Sequence, residues 1–254
     1  MITICFTYFR SLTLAALRAA LFSVRQQDLS CVSALVVIDN NTEDSKQDIL
    51  DVITGLHFPV PVFFGSFKHG DPTKTHSWST NRAVREAPTD WVLFARADYL
   101  LRFDLVTTFE KVVAECAADW NGFVTANVYH LSVDLARCEE TEWRRFGPGM
   151  LRSLPGTEAD YTAIDAGVWM ARKATFDAVG GLDEGLTAWG HAQTHFQHKL
   201  YQAGVEFVRV PEPLFYHPQH GAPRDLALAH QQLAERGVNL REMWARSHVH
   251  PYGR

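Results

Sequence analysis

The sequence predicts an α/β fold built on a mostly parallel central sheet. Two observations carry this prediction. Short apolar runs of β character alternate with segments of helical apolar spacing along most of the chain, which is the pattern of strand–helix–strand units. The second run ends abruptly in a polar turn, and no linker, internal repeat or low-complexity segment interrupts the series. Alternation of this kind buries a parallel sheet beneath helices on both faces.

The elements follow in order. Ile2-Thr3-Ile4-Cys5-Phe6 is a short buried strand. Ser11 can cap a helix whose apolar positions include Leu14, Leu17, Leu21 and Val24. Residues 32–38 form a second strand that ends abruptly at the polar turn Asp39-Asn40-Asn41-Thr42, and a helix follows over about 44–54. Residues 60–64 form a third strand, where Pro61 suits an edge or an end. A polar loop with Gly65, Gly70 and Pro72 leads to a helix near 78–87. Strand 91–95, helix 104–118 and a short strand 122–126 come next. The stretch 130–163 is the least periodic and reads as a long, mobile loop of the kind that covers an active site. Strand 167–171, helix 174–179, a Gly180-Gly181 turn, helix 190–202, strand 205–210 and a polar helix ending near 236 complete the series.

Composition narrows the class. The chain has 254 residues, is 46% hydrophobic and 21% charged, and carries a net charge of −5. These values describe a globular chain long enough to need no covalent staples. Mild acidity argues against a nucleic-acid partner, which would select a basic face. Cys5, Cys31, Cys116 and Cys138 form no Cys-x-x-Cys pair and read as core thiols of a reducing cytosol. Leu12 to Val24 resembles a signal core, but Arg18 interrupts it, and no run reaches the ~18–20 residues of a membrane span. The expected location is cytoplasmic, compatible with peripheral association at a membrane face. Twelve histidines are the unusual entry in the composition.

In an open parallel sheet, ligands bind at the carboxyl ends of the strands. That rule selects Thr7-Tyr8, Asp39-Asn40-Asn41 and Asp98. A carboxylate there can accept from a base imide or ribose hydroxyl, or hold a divalent metal on a pyrophosphate. The same residues also serve as turn and cap formers. No glycine-rich dinucleotide fingerprint, phosphate-binding Gly-Lys-Ser/Thr loop or Gly-x-Ser-x-Gly elbow is present.

The motifs, in their order, resemble glycosyltransferase family 2 and its neighbours with the GT-A fold, over roughly residues 2–217. The matching pieces are Ile2 to Tyr8, Val36 to Thr42, Asn81-x-Ala83, and Trp91 to Asp98 as the approach to an Asp-x-Asp motif. Gly180 to Glu184, Ala188-Trp189-Gly190, Ala203-Gly204 and Val210 to His217 are similar to galactosyltransferase-type C-terminal regions. The resemblance implies one GT-A domain over 1–254, a Rossmann-like α/β/α sandwich. Residues 1–126 would be the nucleotide-binding half, 127–222 the acceptor-binding half and 223–254 a C-terminal helix and tail. It implies transfer of a sugar from a nucleotide-diphosphate donor, of UDP type, to a saccharide or other hydroxyl acceptor, with inversion and with Mn²⁺ or Mg²⁺. Thr7, Tyr8, Asp39, Asn41, Asn81, Arg96 and Asp98 would contact the nucleotide. Asp98 and His217 would hold the metal, and Trp189, Gly190 and Gln193 would meet the acceptor.

The pattern breaks at two positions. Arg96 replaces the first acid of Asp-x-Asp, where it can pair with diphosphate or form a salt bridge at the strand end. Ala192-Gln193 replaces the acidic pair that follows Trp-Gly and normally supplies the base. His191 and His195, at i, i+4, are the natural substitutes, and Asp165 is another. The two histidines read equally as a base, as hydrogen-bonding groups for acceptor or phosphate, or as plain helix-surface residues. Asp183 reads as a base or, more simply, a turn residue. Three functions therefore stand at this point: an active sugar transferase; a catalytically impaired GT-A domain that binds nucleotide or serves assembly; and, less supported, a nucleotidyltransferase.

Overall fold

The structure, a computed structural model, describes residues 1–9, 12–40, 42–68, 76–134, 156–159, 167–187, 192–219, 226–239 and 250–251. The strands are β1 (Ile2–Phe9), β2 (Val32–Asn40), β3 (Val62–Phe67), β4 (Trp91–Arg96), β5 (Leu100–Leu101), β6 (Phe123–Asp134), β7 (Gly156–Ala159), β8 (Val168–Arg172), β9 (Phe207–Gln219) and β10 (His250–Pro251). The helices are α1 (Leu14–Arg25), α2 (Lys46–Gly55), α3 (His76–Glu86), α4 (Leu105–Glu115), α5 (Lys173–Ala178), α6 (Ala192–Gln202) and α7 (Leu226–Glu235).

All the strands join one sheet in the order β10-β9-β6-β8-β4-β1-β2-β3, with β5 beside β9 and β7 beside β6. Strands β3, β2, β1 and β4 run parallel, as do β6, β9 and β10, while β8 is antiparallel to both β4 and β6. The sheet is therefore mostly parallel, as predicted, and β8 joins the β3-β2-β1-β4 strands to the β6-β9-β10 strands.

Strict alternation along the strands loads both faces. On one face Ile4, Phe6, Tyr8, Leu35, Val37 and Leu93 pack with α1, α2 and α4. On the other, Cys5, Val36, Ile38, Phe94 and Trp169 pack with α3, α5 and α6. Trp169 lies at the centre of the second layer, stacked on Phe94 at 5.2 Å and on Phe176 at 5.7 Å. Truncating such a ring costs about 3–5 kcal/mol.

Local chemistry sets the helix starts. Thr13 caps α1, accepting from the Ala16 amide at 3.3 Å, so the helix begins at Leu14, and the Ser11 expected there lies outside the described residues. Ser45 caps α2 by accepting from the Asp48 amide at 3.0 Å, and donates in return to Asp48 Oδ2 at 2.6 Å. Cys5, Cys31 and Cys116 are free thiols; Cys5 is in the core, but Cys31 and Cys116 are only half-buried, and Cys138 lies outside the described residues. No helix among the described residues is long and apolar enough to cross a membrane.

Two expectations are corrected. The segment 130–163 is not loop throughout: β6 continues to Asp134, and β7 pairs antiparallel with it, from Val128 opposite Ala159 to Leu131 opposite Gly156. The last long strand does not stop at 210 but runs to Gln219. Pro211 and Pro213 cannot donate to a ladder. The strand absorbs them by slipping register: Ala126 faces Val210 but Asn127 faces Pro213, and Asn127 Nδ2 donates to the Pro211 carbonyl at 2.6 Å.

The Gly180-Gly181 turn is a further local constraint. Gly180 has φ +71° with open space around its Cβ position, whereas Gly181 has φ +59° and a Cβ there would lie 2.6 Å from Asn81 Oδ1 and 2.7 Å from the Phe176 ring. Gly180→Ala is expected to cost about 1–2 kcal/mol from the left-handed backbone alone. Gly181→Ala adds an overpacking penalty and should reach about 2–4 kcal/mol. Urea denaturation of the two variants reads the difference, and equal losses would remove the close approach to Asn81 from the account.

Candidate active site

The carboxyl ends of β1, β2 and β4 lie side by side. Strands β2 and β4 flank β1, so Asp39 and Arg96 sit about 10 Å apart across it. They differ in what surrounds them.

Asp39 is fully buried and well partnered. Its Oδ1 accepts from Thr42 Oγ1 at 2.7 Å and its Oδ2 from Ser66 Oγ at 2.6 Å. Lys68 Nζ lies 3.1 Å from Oδ2 and also donates to the Asp44 carbonyl at 2.9 Å. Asp39 thus organises the β2 turn. Tyr8, opposite it in the ladder, is in the core, and its hydroxyl donates to Asp44. Asn41 lies outside the described residues. Thr7 points to the other face, fully buried, and its Oγ1 has no hydrogen-bond partner among the described residues.

The second cluster forms around Asp98, which is fully buried. Arg96 grips it with two parallel bonds, Nε to Oδ1 and Nη2 to Oδ2, both 2.9 Å. This fork-to-fork geometry is the strong form of the arginine–carboxylate pair. The guanidinium lies over the Tyr99 ring at 4.9 Å and donates to its hydroxyl at 3.1 Å. His217 comes from β9, with Nε2 3.4 Å from Asp98 Oδ2. Its ring stacks on Tyr99 at 4.7 Å, and its Nδ1 lies 3.2 Å from Nδ1 of His130. Ladder register explains the meeting: β6 sets His130 opposite His217, and β5 sets Leu100 opposite Tyr216. Gly167 leaves room for the Tyr99 ring, since a Cβ there would fall 2.4 Å from it.

His76 opens α3 and is buried. Its ring sits 6.1 Å from Phe9 and 6.2 Å from Phe94, and its Nε2 is hydrogen-bonded to the Gln193 amide at the start of α6. Its Nδ1 is buried without a hydrogen-bond partner among the described residues. Burial first, then the charge of Arg96, push its pKa down to about 3 against the opposing pull of Asp98.

The other expected residues are distributed differently. Asn81 turns its amide inward: Nδ2 donates to the Leu182 carbonyl and to Glu184 Oε1, both at 2.9 Å, and Oδ1 accepts from the Leu182 amide at 2.8 Å. All three of those bonds tie α3 to the segment that follows the Gly180-Gly181 turn. Gln193 and His195 lie two positions apart on α6, about 200° around the helix. Gln193 faces His76. His195 faces Asp183, 3.8 Å from Oδ2, and Arg236 pairs with the same carboxylate. Burial, reinforced by the Lys199 charge, lowers the His195 pKa. Asp183 is a turn residue, accepting from the Gly185 amide at 2.8 Å. Asp165, Trp189, Gly190 and His191 lie outside the described residues.

Sequence reasoning brought Arg96, Asp98 and His217 to one edge and missed Lys68, His76, Tyr99 and His130. His76 and Lys68 stand at the carboxyl-edge connection between β3 and α3, the position the strand-end rule inspects. His130 became visible only through its ladder register with His217.

Comparison with known proteins agrees with this architecture. A family model described as the N-terminal domain of galactosyltransferase matches residues 150–221. The sheet and helices superpose on S. aureus TarS 1-349 in complex with UDP-GlcNAc, at a TM-score of 0.63 and 11% identity. They also superpose on the mannosyltransferase PcManGT from Pyrobaculum calidifontis in complex with GDP-Man and Mn²⁺ (TM-score 0.59, 16% identity). A third likeness is GalNAc-T7 with UDP, GalNAc and Mn²⁺, with a TM-score of 0.62 and 14% identity. The chain has the GT-A fold of glycosyltransferases. The alignments cover 88%, 97% and 92% of this GT-A chain but only 60%, 63% and 47% of TarS 1-349, PcManGT and GalNAc-T7. No curated protein matches the sequence.

The state of His76 has a measurable consequence. A histidine that stays neutral when folded but protonates when unfolded makes the unfolded state bind more protons below its ordinary value of 6.5. Stability from this residue is therefore full above pH 6.5 and falls as pH drops towards 3. Its contribution to the slope is about 1.4 kcal/mol per pH unit. His76→Gln should flatten the stability–pH profile by that amount in denaturant titrations between about pH 6.5 and pH 4.5. An unchanged slope would show that the imidazole is not held neutral.

Proposed function

We propose that this GT-A chain transfers a sugar from a nucleotide-diphosphate donor, of UDP or GDP type, to an acceptor hydroxyl. One observation carries the reading. Thr7, Arg96, His76 and His217, from four separate elements, and Asp98 from the turn after β4 lie at the carboxyl edge where open α/β sheets bind nucleotides. The nucleotide-sugar and nucleotide complexes of TarS, PcManGT and GalNAc-T7 support the donor class.

The chemistry is a displacement at the anomeric carbon. The acceptor oxygen forms its bond to that carbon, the bond to the diphosphate oxygen breaks, and the electron pair leaves on the diphosphate. The hydroxyl proton passes to a base; we assign this to His191 or Asp165, because Gln193 cannot accept it and His195 is turned to Asp183. A single displacement of this kind inverts the anomeric centre. Trp189, Gly190 and Gln193 are the proposed acceptor contacts.

Mn²⁺ accompanies the donor in the PcManGT complex and the nucleotide in GalNAc-T7. The described residues do not fit such an ion. Both Asp98 oxygens hold Arg96 N–H groups, and no group of three His, Cys, Asp or Glu suited to a metal forms among the described residues. The expected pairing of Asp98 with His217 is present, but as a histidine–carboxylate contact beside a guanidinium. No step of the proposed reaction runs through a metal.

One observation favours a second reading. Gln193 stands where an acid is expected and is bonded to His76, an arrangement a nucleotide-binding domain without transfer activity could keep. Calorimetry with UDP, GDP and their sugar conjugates, paired with donor-hydrolysis assays, separates the two. Transfer activity predicts saturable binding with slow donor hydrolysis, and Asp98→Ala should lower it about tenfold or more by releasing Arg96. Binding with no turnover of any donor supports the second reading, and absence of nucleotide binding sinks both.

A further inference from the structure

We propose that Arg96 stands in for the divalent cation, so that nucleotide binding and sugar transfer by this chain are metal-independent. The inference rests on the nucleotide-sugar reading above and deepens it. The Asp-x-Asp pattern that the sequence resembles has two acids two residues apart. Here the first is Arg96 and the second, Asp98, is its ion-pair partner through two 2.9 Å bonds. The guanidinium thus occupies both oxygens of the carboxylate that a metal would need.

Three further features hold the cation there. The Arg96 side chain is only 12% exposed and the Asp98 side chain is fully buried, so water competes weakly for the pair. The Tyr99 ring lies beneath the guanidinium at 4.9 Å, and its hydroxyl accepts a third hydrogen bond at 3.1 Å. His217 lies against the carboxylate, its Nε2 3.4 Å from Asp98 Oδ2. A divalent ion would have to displace a bidentate, desolvated arginine. Guanidinium also matches diphosphate in shape: it is planar, weakly hydrated and permanently charged, and it hydrogen-bonds phosphate oxygens in pairs. Its charge is in place before the donor arrives, which favours binding and the developing charge on the leaving diphosphate.

The test uses the full chain, UDP and GDP as ligands, and Mn²⁺ as the metal probe. Calorimetric affinity for the nucleotide is expected to agree within about twofold between EDTA and excess Mn²⁺. Electron paramagnetic resonance should find no protein-bound Mn²⁺ in the wild type. Arg96→Gln should weaken nucleotide binding about tenfold or more, without rescue by Mn²⁺. Arg96→Lys keeps the charge and should bind in EDTA with intermediate affinity, which separates loss of the cation from loss of fold. Arg96→Asp restores two acids and should acquire bound Mn²⁺. Nucleotide binding that EDTA abolishes and Mn²⁺ restores overturns the inference while leaving the transferase reading intact. So does wild-type Mn²⁺ binding that Asp98→Asn removes, or Arg96→Gln binding as tightly as wild type. Failure of both nucleotides to bind under every condition defeats the transferase reading, and this inference with it.

Discussion

Strand β9 is the constraint on which the site depends. It is hydrogen-bonded to β6 along most of its length, to β10 on its other side, and to the two-residue β5. Through β6 it is anchored to β8 and so to the parallel core strands. Through β5 it reaches the segment that immediately follows Asp98. A strand held in this way has no freedom to slide, because a one-residue slip would turn every side chain to the wrong face. Its register is what sets His217 beside Asp98 and opposite His130. The bulge at Pro211 and Glu212 belongs to the same device: it re-phases the ladder before the site is reached.

Around that ladder the charged groups divide into two neighbouring centres with different duties. Asp39 spends its carboxylate on Thr42, Ser66 and Lys68, which satisfies a buried charge and stiffens the β2 turn. Asp98 spends its carboxylate on one arginine. Removing either partner of a buried pair leaves an uncompensated charge, so both acids are costly to replace, for different reasons. The first supports the shape of the edge; the second fixes a cation upon it. His76, neutral because it is buried beside Arg96, links this edge through Gln193 to the helix on which acceptor chemistry is expected.

Much of the architecture was legible without coordinates. Val36-Val37-Ile38 followed by Asp39-Asn40 reads as a buried strand with a polar end, and that is how β2 folds. Strand β4 ending at Arg96 and the helix over 105–115 follow from the same patterning. The failures share a cause. Prolines at 211 and 213 broke the local signal for β9, and the polar character of 130–134 hid the end of β6. Both segments are strands because they pair with each other, and neighbour pairing has no counterpart in local propensity. The hydrogen bonds of Asn81 to Leu182 and Glu184 were equally out of reach of local pattern, since about a hundred positions separate the partners.

The sequence by itself determined the class of fold, the strand ends where chemistry belongs, and the two substitutions that set this chain apart, Arg96 and Ala192-Gln193. Those are properties of local pattern, since apolar period and turn residues act over a few positions. Tertiary structure decided what the substitutions do. Arg96 and Asp98 are two residues apart in the chain, but only burial and the Tyr99 platform turn that spacing into a fixed bidentate pair. His217 lies 3.4 Å from Asp98 although 119 positions separate them in the chain, because a ladder, not a motif, carries it there. Gln193 and His195 share a helix, yet its turn sends one to the site and the other to Asp183. Charge and hydrogen bonding depend on distances of a few ångströms, and those distances are set by strand register and helix phase rather than by spacing along the sequence.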